Sequence, residues 1–128
     1  MFKDNLDDDD VRQLASCFTD IANASIISTL MANIRRADPR FRESLGDSLL
    51  KGRIRDERTL VARSTVPIAL LGASNDRFID SSYYESLPMS RFWRSRVHMF
   101  EGNGHVLHME APERLASLLS EFANGASG

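Results

Sequence analysis

The feature that most constrains this chain is a single change in the spacing of its apolar residues, close to Ser64. Before that point they recur at helical intervals: Val11, Leu14 and Phe18, then Ile26, Ile27, Leu30, Met31 and Ile34, then Phe41, Leu45 and Leu49. That period predicts three short helices. Asp38-Pro39 supplies one break, since a residue preceding proline is biased away from helix, and Gly52 supplies a C-terminal stop. Gly46, inside the third segment, weakens it. The acidic run Asp7 to Asp10 reads as a solvated cap at the positive end of the first helix dipole.

After Ser64 the pattern is different. Val66-Pro-Ile-Ala-Leu-Leu71 is a continuous apolar run closed by Gly72, the signature of a strand buried on both faces. Pro67 is tolerable near a strand start, where no ladder donor is required. A helix is expected over about Ser81 to Leu87, a second strand over Arg96-Val-His-Met-Phe100, a turn at Glu101-Gly-Asn-Gly104, and a helix from about Pro112 carrying Leu115, Leu118, Leu119 and Phe122. This order makes a βαβα unit, whose two strands should be parallel with a right-handed crossover. The fold class is therefore α/β, with residues 1–64 a helical segment and 65–128 the strand-bearing one.

In such a unit, function gathers in the loops that leave the carboxyl ends of the strands. The first loop, Gly72-Ala-Ser-Asn-Asp-Arg-Phe-Ile79, carries Asp76, and the second, Gly102-Asn-Gly-His105, carries His105. On adjacent parallel strands these two groups can meet. A carboxylate then fixes the imidazole tautomer and stabilises the imidazolium as it takes a proton.

At these residues the sequence resembles the α/β-hydrolase family. Val66-Pro-Ile-Ala-Leu-Leu-Gly72 with Asp76 is similar to its seventh strand and acid loop, Val97-His-Met-Phe-Glu-Gly-Asn-Gly-His105 to its eighth strand and histidine loop, and Met109-Glu-Ala-Pro-Glu-Arg114 to the start of its last helix. The resemblance implies a partial α/β-hydrolase fold: a helical cap-like segment, then the C-terminal part of the core. It implies Asp76 and His105 as catalytic, Phe78 and Val106 as linings of an apolar substrate pocket, and hydrolysis of an ester or related small-molecule bond. In the common family pattern the acid stands three residues after the glycine, whereas Asp76 stands four after Gly72, so Asn75 reads as an extra residue and Asp80 is the alternative acid.

The family places its nucleophile ahead of the acid in a G-x-S-x-G elbow. The sequence contains no such motif, and no glycine-rich loop that would furnish oxyanion amides. Losing the nucleophile of a serine hydrolase costs a factor of roughly 10⁶ in turnover. The expectation is thus a C-terminal fragment, silent by itself, that self-associates or pairs with a missing N-terminal half. A non-catalytic interaction module and one half of a split hydrolase are the alternatives.

Other readings are weaker. A net charge of −2 offers no basic field for nucleic acid. No apolar run approaches the roughly 20 residues a membrane span needs, and a secretory leader pattern is missing from the first ten residues, so the expected location is cytoplasmic, without membrane association. Cys17 reads as a small buried apolar residue, and His98 as packing or surface. His105 and His108 lack the further ligands of a zinc site, and Gly102-Asn-Gly104 lacks the third glycine of a dinucleotide loop, so neither metal nor cofactor is expected. Ser74, Ser81 and Ser82 do not sit on a strand-to-helix elbow.

Overall fold

A computed structural model describes residues 5–53 and 55–125. The chain divides into two compact units, Met1–Arg55 and Asp56–Gly128.

The first unit is helical: α1 (Asp8–Phe18), α2 (Ala24–Arg36) and α3 (Pro39–Leu50). The acidic run works as expected. The Asp7 carboxylate accepts from the Asp10 backbone N–H at 2.8 Å and Asp10 returns the bond at 3.4 Å, a reciprocal cap, while Asp8 pairs with Arg35 at 2.7 Å. Val11 and Ala15 of α1 are buried with Ile27 and Leu30 of α2. Pro39 stands at the first turn of α3, and Asp38 caps it. At the other end Gly52 (φ +62) donates to Leu49 C=O at 3.1 Å and Arg53 to Ser48 C=O at 2.9 Å. That paired closure needs a residue at positive φ, which is why the helix stops at this glycine.

One expectation fails in this unit, the enclosure of Cys17, and one packing outcome was left open by the sequence. The Phe41, Leu45 and Leu49 stripe of α3 lies exposed, and the residue that α3 buries is Gly46. Periodicity shows which residues share a face; burial depends on what packs there. Cys17 is half-buried, its thiol donating to Gln13 C=O at 3.4 Å, not enclosed as a core residue.

The second unit contains α4 (Glu57–Arg63), β1 (Leu70–Ala73), α5 (Ser81–Glu85), two 3₁₀ turns (Met89–Arg91 and Trp93–Ser95), β2 (Val97–Phe100), α6 (Leu107–Glu110) and α7 (Pro112–Gly125). β1 and β2 are parallel, with Leu70 opposite Val97 and Ala73 opposite Phe100. Phe100 is fully enclosed, with the Arg114 guanidinium 4.3 Å above its ring. Gly72 is needed at the crossover: a Cβ there would stand 2.6 Å from Met99 Sδ and 3.1 Å from Tyr84.

The strand predicted over residues 66–71 is displaced. Val66 is 67% exposed and Ile68 C=O is taken by the Trp93 N–H at 2.7 Å, so ladder pairing begins only at Leu70 and runs on through Ala73. Pro67 has no N–H to donate, and β1 has one partner strand among the described residues, so Leu70 and Leu71 are half-buried instead of covered on both faces. The helix expected to reach Leu87 ends at Glu85, and α4 and α6 are additions. Both are too short to display a period, although α4 carries a readable cap: the Asp56 carboxylate accepts from Arg58 N–H at 3.1 Å.

Candidate active site

The site grows from the ends of the two parallel strands. Just beyond β1 the chain turns at Ser74 and Asn75, and just beyond β2 it turns at Gly102, whose φ is +76. The two turns are fastened together. Ser74 N–H donates to Phe100 C=O at 3.2 Å, Ser74 Oγ accepts from Gly102 N–H at 2.8 Å, Asn75 N–H donates to Asn103 C=O at 2.9 Å, and the Asn75 amide donates to Gly102 C=O at 3.2 Å. The ladder is thus continued past the strands by loop contacts, fixing the height of one loop against the other.

On that platform the carboxylate and imidazole meet. His105 Nδ1 lies 2.9 Å from Asp76 Oδ2, across 29 residues of sequence. The Asp76 side chain is only 8% exposed, whereas that of His105 is 39% exposed. The carboxylate is therefore shielded and the imidazole reachable. Asp76 Oδ1 accepts from the backbone N–H of Phe78 at 2.8 Å and of Ile79 at 3.3 Å, which orients the carboxylate so that its other oxygen faces the ring. A carboxylate only accepts, so the bond to it draws the imidazole proton to Nδ1 and leaves Nε2 unprotonated, the form a general base requires.

Phe78 packs edge-on against His105, ring centroids 4.9 Å apart at 60°, and Val106 is buried directly after it. Asp76, Phe78 and His105 are thus in contact with one another, and Val106 follows His105 in the chain. Asp80 does not join them: its carboxylate caps α5, accepting from Ser82 N–H at 2.9 Å, and that bond holds its carboxyl below the usual range. Tyr84 lies nearby, its phenol pushed up by burial and, secondarily, by the charge of Asp76. His108 is exposed on α6, and among the described residues no group of three His, Cys, Asp or Glu side chains could hold a metal ion. No described helix is long and apolar enough to cross a membrane.

Sequence reasoning missed the fastening. Asn75, noted only as an extra residue in the acid loop, makes two of its bonds, and Glu110 of α6 accepts from the Gly104 N–H before His105. The one signal available was that surplus position.

A parallel strand pair followed by a C-terminal helix is a partial α/β-hydrolase fold, and the chain resembles the C-terminal part of that family. It is 42% identical over 83 residues to the monoglyceride lipase of Mus musculus, a match covering 64% of this chain and 27% of the lipase. The monoglyceride lipase of Rattus norvegicus is 40% identical over 78 residues, covering 60% of this chain and 25% of that protein. Among solved structures, the N-acyl homoserine lactonase AidH bound to N-hexanoyl homoserine lactone superposes with a TM-score of 0.82 at 20% identity, covering 97% of this chain and 45% of the lactonase. AidH with N-butanoyl homoserine gives the same TM-score. No protein-family model matches. The chain spans about a quarter of the length of the curated relatives it matches.

Proposed function

We propose that this chain supplies the acid and the base of a hydrolytic triad acting on an ester or related small-molecule bond. His105 takes a proton from a serine held elsewhere and returns it to the leaving group, while Asp76 holds the ring and balances the imidazolium. The observation that carries the reading is the 2.9 Å approach of His105 Nδ1 to a shielded Asp76 carboxylate that two backbone N–H groups orient. The names of the relatives are in keeping with it, one a lipase of monoglycerides and the other a lactonase. Phe78 and Val106 would line the acyl or alcohol side of the bound substrate, and residues 1–64 would serve as the cap-like segment.

Because the sequence has no G-x-S-x-G elbow, these residues alone are catalytically silent on this reading. The test is His105→Ala in a protein that unites these residues with an elbow-bearing segment. Hydrolysis of a short-chain aryl ester should fall by roughly 10⁶ with the circular dichroism spectrum preserved. Activity within tenfold of the parent would refute the assignment.

The same reading gives the chain a partner. β1 pairs on one edge with β2, and Val66, Leu60 and Ile79 in this unit leave apolar surface exposed. A strand with a free edge and uncovered apolar neighbours recruits another strand, from a second copy or from a polypeptide bearing the nucleophile. Light scattering on the purified chain should show association, and a monodisperse monomer with a cooperative melt would overturn this part of the reading.

A further inference from the structure

Away from the Asp76–His105 pair, the second unit contains a cavity of about 340 Å³ between β2 and α7. It lies beside the start of β2, whereas His105 follows the end of that strand, so what it binds is independent of the hydrolytic reading. Its polar lining is almost entirely made of donors: the guanidinium groups of Arg94, Arg96 and Arg114, the imidazole of His98 and the hydroxyl of Ser117, with Glu121 the one carboxylate. Three cations against one anion stand out in a chain whose net charge is −2.

The site is built, not merely decorated. Arg94 and Ser95 occupy the left-handed backbone region at φ 58 and 48, a conformation that costs a residue with a side chain roughly 1–2 kcal/mol. This turn lays the Arg94 guanidinium 3.9 Å over the Trp93 ring and 2.9 Å from Glu121 Oε2. Trp93 stacks in turn on His98, centroids 4.8 Å apart at 29°, and meets Phe122 edge-on. Arg114 is anchored by a 2.7 Å bond from Nη2 to Met99 C=O on the outer edge of β2. In a parallel strand a residue sends its N–H and C=O the same way, so the Met99 N–H faces that edge too.

Two groups are left over. His98 is only 7% exposed, lines the cavity, and its Nε2 has no hydrogen-bond partner among the described residues, a state that costs free energy until something fills it. Arg96 is exposed, with no ion pair among the described residues. The guanidinium forks of Arg94 and Arg114 keep further N–H donors beyond those already engaged.

We propose that this cavity binds a small, doubly charged oxyanion of the phosphate monoester class. Such a group offers three acceptor oxygens to a lining of donors, matches the excess of two positive charges, and fits the volume with room for a small organic body. A single carboxylate would leave half the donors idle. A cationic ligand would meet three guanidinium groups against the single carboxylate of Glu121.

Trp93 is the sole tryptophan and sits against the site, so it reports directly. Inorganic phosphate is titrated into the purified chain while the Trp93 indole resonance and fluorescence are followed, with chloride at matched ionic strength as reference. The expected result is a saturable shift with phosphate and none with chloride. Arg96→Gln should weaken the phosphate response about tenfold and Arg96→Glu should abolish it, while Arg63→Gln on α4 leaves it unchanged. Should either Arg96 variant lose its native circular dichroism, Ser117→Ala serves in its place and should weaken binding severalfold. A response that is identical for chloride and phosphate, or an affinity indifferent to both Arg96 and Ser117, overturns the proposal.

Discussion

Replacing Asp76 by Asn separates what this residue does for folding from what it does for His105. In the native site Oδ1 accepts from Phe78 N–H at 2.8 Å and Ile79 N–H at 3.3 Å, and Oδ2 faces His105 Nδ1 at 2.9 Å. Asparagine has one carbonyl oxygen. Turning its amide nitrogen toward the two backbone donors would set donors against donors in a shielded place, at about 1–3 kcal/mol, so the oxygen stays there and the NH₂ turns to the histidine. His105 Nδ1 must then accept, and its proton moves to Nε2, the nitrogen that the proposed function requires to be unprotonated. The loss of stability should be small, about 1 kcal/mol for exchanging a charge-assisted bond for a neutral one. On the proposed function, the loss of turnover in a protein that also carries the nucleophile should be large, about 10⁴-fold, the order seen when the same exchange inverts the histidine of a serine protease. Long-range proton–nitrogen correlation of the His105 ring reads the tautomer on this chain directly, and urea unfolding reads the stability. If the variant keeps its proton on Nδ1, or loses well over about 3 kcal/mol, the reasoning is wrong. The charge of Asp76 also helps raise the Tyr84 phenol, so the variant should titrate that tyrosine lower than the parent does, though still above the ordinary value because burial is the larger cause.

Gly102→Ala should cost about 1–2 kcal/mol, because φ is +76 and no atom lies within 4 Å of the added Cβ, leaving the backbone as the whole cost. Gly52→Ala, at φ +62 with equally open surroundings, should cost the same in the first unit, and denaturant unfolding that finds either variant as stable as the parent would refute the backbone account. Asp80 should titrate below the ordinary carboxylate value of about 3.9, because the Ser82 N–H favours its charged form. Its folded value is depressed, so its support of α5 is complete above that ordinary value and is lost as pH falls through the folded one; carbonyl NMR that shows no depression would contradict this.

How far the sequence could be read depended on how local each cause was. The Asp7 to Asp10 cap, the Pro39 start and the Gly52 stop each rest on contacts within five residues, and all three stand where the sequence puts them. The alternation of strand, helix, strand and helix after Ser64 was legible for the same reason, as was the placement of Asp76 and His105 at strand ends. The exposed stripe of α3 was not, since periodicity names a face without naming its neighbour. The start of β1 was also out of reach, because the Trp93 N–H that takes Ile68 C=O arrives from 25 positions downstream.

The sequence by itself determined which chemical groups this protein carries and in what order the strands present them. Only the tertiary structure decided that the groups touch. The choice of Asp76 over Asp80 follows from parallel pairing in the register Leu70 to Val97, from the Ser74 and Asn75 bonds to the Gly102 loop, and from the two N–H groups that aim the carboxylate. A hydrogen bond is made or lost over a few tenths of an ångström, and no periodicity fixes a distance between loops 29 residues apart to that tolerance.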